Sequence, residues 1–135
     1  MTGMKPETGE LKVTSFTDCG NAPRKQLLLA FNVAFAKGDI AFILEHVAND
    51  IVWDRVGDDR IEGKERLAET IEQMKDNLPT EIRIANIITH GSTAAANGIL
   101  SYEQKRYSYC DIYIFNGAAK SAKIIAITTY AIDVS

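Results

Sequence analysis

Tyr107-Ser-Tyr-Cys-Asp-Ile-Tyr-Ile-Phe115 is the stretch on which the reading of this chain turns. Its aromatic and β-branched residues predict a buried β-strand, yet Asp111 sits at its centre. A carboxylate in apolar surroundings has to be paired, protonated or opened onto a solvated cavity, because an unpaired buried charge is costly. Two-residue alternation places Tyr109 and Tyr113 on the face of Asp111 and turns Cys110 to the other face, where it reads as a small core residue. A second acid, Asp54, lies in a similar setting within Ile51-Val-Trp-Asp-Arg-Val56. Together the two carboxylates suggest a polar spot at the bottom of an apolar pocket.

Outward from this strand, everything after Thr80 has β character. Four strands are expected, at 81–90, 93–102, 106–115 and 122–134, with breaks at Gly91-Ser92, Glu103-Gln-Lys105 and Asn116-Gly117. Gaps this short suit hairpins, so the neighbours should be antiparallel. The earlier part of the chain is helical. Asn21-Ala-Pro23 supplies an N-cap and an early proline, Leu27, Leu28, Phe31, Ala34 and Phe35 follow at helical spacing, and Gly38 stops the helix. Asp39 caps a short second helix with Ile40, Ile43, Leu44 and Val47 as its apolar positions. A strand from Ile51 to Val56 comes next, and Gly63 opens a third helix with Leu67, Ala68, Ile71 and Met74 on one face, closed by Asn77 and Pro79. Helices grouped before strands predict an α+β layer fold, with the helices on one face of a curved sheet.

The 135 residues suffice for one domain with a core of its own, expected over 21–135 behind a loosely ordered polar leader at 1–20. Fifteen basic residues stand against 18 acidic ones without a basic stripe, which argues against a nucleic-acid partner. No apolar run approaches the roughly 20 residues of a membrane span. Cys19 and Cys110 fit no metal or redox spacing, so reduced thiols and a cytoplasmic setting are expected. No His, Asp and Glu cluster has metal-ligand spacing and no glycine-rich loop opens a helix, so neither a metal nor a cofactor is expected. The turn Asp58-Asp59 and His46 read as solvated.

Both alternating sets of the last strand are largely apolar: Ile124, Ala126, Tyr130 and Ile132 against Ile125, Ile127 and Ala131. The first long strand likewise sets Ile82, Ile84 and Ile88 against Ala85 and Ile87. A sheet with helices on one side should be polar on the other, so a second copy covering the outer face is expected, giving a homodimer.

Three helices, a strand after the second, and a terminal four-strand meander resemble the cone-shaped NTF2-like fold. Phe35-Ala-Lys-Gly-Asp39 looks like the turn between the first two helices of SnoaL-like and ketosteroid-isomerase-like domains. Asn49-Asp-Ile-Val-Trp-Asp-Arg-Val-Gly57 with Ile61-Glu-Gly-Lys-Glu65 is similar to that family's strand, turn and third-helix entry, and Cys110-Asp-Ile-Tyr-Ile-Phe115 with Lys123-Ile-Ile-Ala-Ile-Thr-Thr-Tyr130 to its last hairpin. The resemblance covers the chain from Pro23 onward. It implies a cone-shaped barrel of three N-terminal helices packed on a strongly curved, mainly antiparallel sheet.

Compared residue by residue with the ketosteroid isomerases, Asp54 stands where the general base stands, three residues before Gly57. Asp111 takes the place of the oxyanion-stabilising aspartate, four residues before Phe115. Phe31, seven residues before Gly38, replaces a tyrosine and brings no hydroxyl. The resemblance thus implies Asp54 and Asp111 as catalytic residues in proton abstraction beside a carbonyl, with Asp111 held protonated to donate. A second donor would come from Tyr109, Tyr113, Tyr130 or His90. Against this stand plainer alternatives: Asp111 in an ion pair with Arg55 or Arg106 or accepting backbone bonds at a bulge, and a register that turns Trp53 and Arg55 inward and Asp54 outward. That second register suits an anionic ligand. The function expected is a small-molecule-binding domain with an apolar pocket carrying one or two carboxylates, for a small apolar or carbonyl-containing molecule; cofactor-free isomerase, cyclase or hydratase chemistry is open to it and catalysis is left undecided. The alternative is a non-catalytic binding or dimeric association domain. The expected site is Asp54 and Asp111 with Phe31, Trp53, Arg55, His90, Tyr109, Tyr113 and Tyr130 around the ligand.

Overall fold

The structure, a computed structural model, describes residues 10–16, 19–20 and 22–135. Among the described residues three helices, α1 (Pro23–Lys37), α2 (Ile40–Glu45) and α3 (Lys64–Met74), pack on a sheet of seven strands. The strands are β1 (Lys12–Ser15), β2 (Val47–Arg55), β3 (Arg60–Glu62), β4 (Glu81–His90), β5 (Thr93–Ser101), β6 (Arg106–Phe115) and β7 (Ile124–Asp133). Their spatial order is β1-β4-β5-β6-β7-β2-β3. The β4-β5-β6-β7 meander is antiparallel, as the short gaps predict, whereas β1 joins β4 and β2 joins β7 in parallel. The α+β architecture expected from the order of elements is present: the helices cover one face of a curved, mainly antiparallel sheet.

Local chemistry sets the helix boundaries. Gly38, at φ 71°, ends α1, and the N–H of Asp39 bonds back to the carbonyl of Ala34 at 2.9 Å. This is a left-handed cap that a Cβ would disfavour. Asp39 then accepts from the Phe42 N–H at 3.2 Å and starts α2. The N-cap position of α1 belongs to Ala22, without a side-chain cap; Asn21 lies outside the described residues. The core joins Leu28 and Phe31 of α1, Ile43 of α2, and Leu67 and Ile71 of α3 to the concave face of the sheet. Among the described residues no helix is long and apolar enough to cross a membrane.

Several expectations need correction. Lys12–Ser15, placed in a loose leader, forms β1 and pairs with Glu81–Ile84; residues 1–9 and 17–18 of that leader lie outside the described residues. The second helix is shorter than its apolar spacing suggests, since Val47 pairs with Ile124 as the first residue of β2. Bulges break the assumed alternation twice. In β4 the pairing skips Ala85, so Ile82, Ile84 and Ile87 all face the core and Ile88 turns outward at 64% exposure. In β7 it skips Ile125, which brings both Ile124 and Ile127 inside. Part of the two-sided apolar pattern therefore records bulges. His46 is not simply solvated: half-buried, it packs on Phe42 with ring centres 4.5 Å apart. Asp59 is held by Arg55 through two bonds of 2.7 and 2.8 Å, which keep its carboxyl below the usual range.

Candidate functional site

A cavity of about 120 Å³ opens between the helices and the concave face of the sheet. Its walls are apolar and aromatic: Phe31 and Phe35 from α1, Trp53 from β2, Ile82 from β4, Tyr109 from β6 and Ile127 from β7. Met74, Asn77, Leu78 and Pro79, at the end of α3 and beyond it, line it together with Leu100, Tyr102 and Ala131. Asn77 and Ala131 are exposed and mark the rim. The volume is close to that of an engineered apolar cavity of about 150 Å³ that holds benzene. This sets the scale of a ligand at about one six-membered ring, with the rim leaving room to open.

Asp111 is the acid on this cavity. The β6–β7 register sets it opposite Thr129 and sets Tyr109 and Tyr113 two residues to either side on the same face. Thr129 Oγ1 donates to Asp111 Oδ1 at 2.6 Å and Tyr113 Oη donates to Asp111 Oδ2 at 3.1 Å. Each of these hydroxyls receives a bond in turn. Trp53 Nε1 donates to Thr129 Oγ1 at 2.9 Å, and Asn32 Nδ2 donates to Tyr113 Oη at 3.0 Å. Asn32 also donates to the Leu28 carbonyl at 2.8 Å and accepts from Tyr109 Oη at 2.8 Å. An indole N–H and an amide N–H can only donate, and each hydroxyl has a single proton. The chain of bonds therefore runs one way, and both branches end on the Asp111 carboxylate.

Two influences oppose each other at Asp111. Burial raises its carboxyl, and the bonds from Thr129 and Tyr113 lower it; burial wins, and the group titrates at about 6. Its side chain keeps some surface because it borders the cavity, although protein surrounds it closely. Burial likewise pushes the Tyr109 and Tyr113 hydroxyls well above their usual range, with the Asp111 charge adding to the effect. The site thus sets a carboxyl raised close to neutral pH beside tyrosines that stay neutral. The protonated donor role expected for Asp111 does not match this polarity, because both neighbours point their protons at it.

The expected residues divide into two groups. Phe31, Trp53, Tyr109, Asp111 and Tyr113 meet at the cavity. Asp54 does not: it pairs with Thr128 while Asp111 pairs with Thr129, so the two carboxylates stand on opposite faces of the sheet. Trp53 faces inward beside Ile127, and alternation then sends Asp54 out. Tyr130 is also on the outer face, 49% exposed, and His90 is exposed at the end of β4. Arg55 shares the inward side of β2 but is engaged by Asp59 and lies over the Trp53 ring, 4.9 Å from its centre. It does not line the cavity, and among the described residues neither it nor Arg106 forms an ion pair with Asp111. Cys110, treated as core, is half-buried on the outer face between Asn97 and Tyr130.

Asn32 is the residue that sequence reasoning missed. It is 4% exposed and holds both tyrosines. The signal was present: a single amide interrupts Leu27-Leu-Leu-Ala-Phe-Asn-Val33, one turn after Leu28 on the buried side of α1. Among the described residues no group of three or more His, Cys, Asp or Glu side chains is arranged to hold a metal ion.

Comparison with known proteins agrees with this geometry at the level of the fold. The sequence profile of the SnoaL-like domain matches residues 28–124. Comparison with curated protein sequences gives no match. Among solved structures, an NTF-2 like protein of unknown function from Burkholderia xenovorans LB400 superposes with a TM-score of 0.69 at 19% identity, over 84% of this chain and 86% of that one. A LEH-like epoxide hydrolase from M. tuberculosis gives 0.63 at 20% identity, over 82% and 83%. A candidate ketosteroid isomerase from Kribbella flavida DSM 17836 gives 0.68 at 10% identity, over 84% and 80%. With its profile matched over residues 28–124, the chain belongs to the SnoaL-like domain family, and its three helices on a curved sheet share the fold of the NTF-2 like protein.

Proposed function

We propose that this domain binds a small, largely apolar molecule in the cavity and anchors it on Asp111, without a bound cofactor. The observation that carries this reading is the convergence of two one-way hydrogen-bond branches on a carboxylate that opens into an aromatic-walled cavity. A carboxylate has about four acceptor positions, and Asp111 borders the cavity with two hydroxyl donors bonded to it, which leaves acceptor capacity for a ligand.

The same carboxylate suits proton transfer, since a group titrating near 6 is ready to take a proton at neutral pH and to return it. With Asp54 on the far face, isomerase, cyclase or hydratase chemistry would rest on this single base. The likeness to a LEH-like epoxide hydrolase and to a candidate ketosteroid isomerase is compatible with such chemistry without selecting a reaction.

We also propose that a second copy covers the outer sheet face. Ile88, Ile112, Tyr130 and Ile132 are exposed there, and Ile88 and Ile112 lie in one cross-strand row through Ala95. An apolar surface of this kind favours self-association.

The cavity is tested with toluene, monitored by NMR. Shift changes concentrated on Phe31, Trp53, Tyr109 and Ile127 are expected, and they should persist in Asp54→Asn. Changes scattered over the surface, or none at millimolar toluene, would overturn the reading.

A further inference from the structure

We infer that the ligand of this cavity is a small organic cation, an aromatic or cyclic amine whose ammonium pairs with Asp111. This rests on the reading of the cavity as a small-molecule site.

The first ground is charge. Among the described residues that line the cavity Asp111 is the one carboxylic acid, and no Lys, Arg or His stands among them. Arg55, on β2 beyond β7, is committed to Asp59 and lies over the Trp53 ring. Asp111 thus receives two neutral hydroxyl donors and no counter-ion, which leaves a buried carboxylate only partly compensated.

The second ground is the direction of the bonds. Because Trp53 and Asn32 occupy the oxygens of Thr129 and Tyr113, neither hydroxyl is free to turn its proton toward a ligand without abandoning Asp111. What remains for the ligand is acceptor capacity, and it selects donors. A carbonyl or carboxylate placed against Asp111 would meet oxygen with oxygen.

The third ground is the wall. Phe31, Phe35 and Trp53 form an edge-to-face cluster, with ring centres 5.3 Å apart for Phe31 and Phe35 and 5.1 Å for Phe35 and Trp53. Tyr113 joins Phe31 at 6.1 Å. Aromatic faces around a carboxylate hold an organic ammonium by cation–π attraction and receive its hydrocarbon body by apolar contact. An inorganic cation would find a single carboxylate and few further oxygens. The groups that face Asp111 are Asn32 from α1, Trp53 from β2, Ala96 from β5, Tyr109 and Tyr113 from β6 and Thr129 from β7. None of these but Asp111 itself titrates between pH 5 and 8.

The test compares three probes of nearly one shape, benzylamine, benzyl alcohol and toluene, on the purified protein by calorimetry between pH 4.5 and 8. Benzylamine is expected to bind at least tenfold more tightly than benzyl alcohol at pH 7.5. Its advantage should shrink as the pH falls through 6, where Asp111 takes up its proton. In Asp111→Asn benzylamine should lose about thirtyfold or more, and its advantage over benzyl alcohol should disappear. Benzyl alcohol binding as well as benzylamine at pH 7.5 in the wild-type protein would overturn the inference and leave the cavity reading intact. Failure of all three probes, toluene included, would overturn both. The wild-type pH series decides the matter by itself if the variant does not fold.

Discussion

Asn32 on α1 donates to the hydroxyl of Tyr113 on β6 at 3.0 Å, across 81 residues of sequence, and this bond ties the helical layer to the acid in the sheet. Tyr113 is 1% exposed and donates its own hydroxyl hydrogen bond to Asp111. The amide carbonyl of Asn32 meanwhile receives Tyr109 at 2.8 Å, so one side chain orients both tyrosines that flank the carboxylate.

Replacing Asn32 by Leu keeps the size and removes all of these bonds. The buried Tyr109 hydroxyl would lose its acceptor, and Tyr113 would lose its incoming donor. A loss of about 1–3 kcal/mol in urea unfolding is expected, the cost of leaving a buried polar group without its partner. A change within about 0.5 kcal/mol, ordinary for a surface position, would show that the network is dispensable.

Asp111 makes stability depend on pH in an unusual direction. Its folded-state carboxyl titrates at about 6, above the model-peptide value of 3.8, so the folded protein holds the proton more tightly than the unfolded chain. Stability from this group is complete below 3.8 and is lost as pH rises toward and past 6, by an amount on the order of 3 kcal/mol. Asp133 acts oppositely, its carboxyl lowered to about 2 chiefly by bonds from Ser135, and its contribution is lost only below 3.8. Urea midpoints should therefore fall between pH 4.5 and 7.5 in the wild-type protein, and fall much less in Asp111→Asn. Parallel profiles would contradict the burial of this charge.

The register of β6 and the convergence of Tyr109, Asp111 and Tyr113 could be read from alternation alone, because the strand is long, regular and central. Helix ends marked by Gly38 and Asp39 were equally plain, since one supplies a left-handed cap and the other an acceptor. Asp54 was not. Ile51 to Val56 is apolar enough to face either way, and its register is set by its neighbour β7, from which more than 60 residues of chain separate it. The bulges at Ala85 and Ile125 escaped for a related reason: a one-residue slip leaves no mark in composition but exchanges the faces beyond it. β1 is four residues long and pairs with a strand far along the chain, so nothing local announced it.

Thr129 supports the charged form of Asp111 through the shortest bond in the site, 2.6 Å. Thr129→Val retains the shape and deletes that donor, which also leaves the Trp53 indole N–H without its acceptor. The Asp111 carboxyl should then titrate above 6, since its charged form loses a hydrogen bond. A carbon-13 titration of the variant that is unchanged or moves downward would contradict the bonding scheme.

On the outer face, Ile112 and Ile132 are 37% and 67% exposed. Light scattering of the wild-type protein at micromolar concentration should give twice the chain mass of 14.9 kDa. The double variant Ile112→Lys, Ile132→Lys should give the single chain with its cavity intact, because like charges would meet across the interface. A wild-type monomer would remove the proposal of a covering second copy.

The central claim is that Asp111 is an ionisable anchor open to the cavity, and the titration of its carboxyl carbon by NMR, assigned with Asp111→Asn, tests it most directly. The account predicts a midpoint near 6 in the free protein, moving downward when benzylamine fills the cavity and stabilises the charge. A midpoint near 4, as for an exposed aspartate, unmoved by the amine, would contradict it.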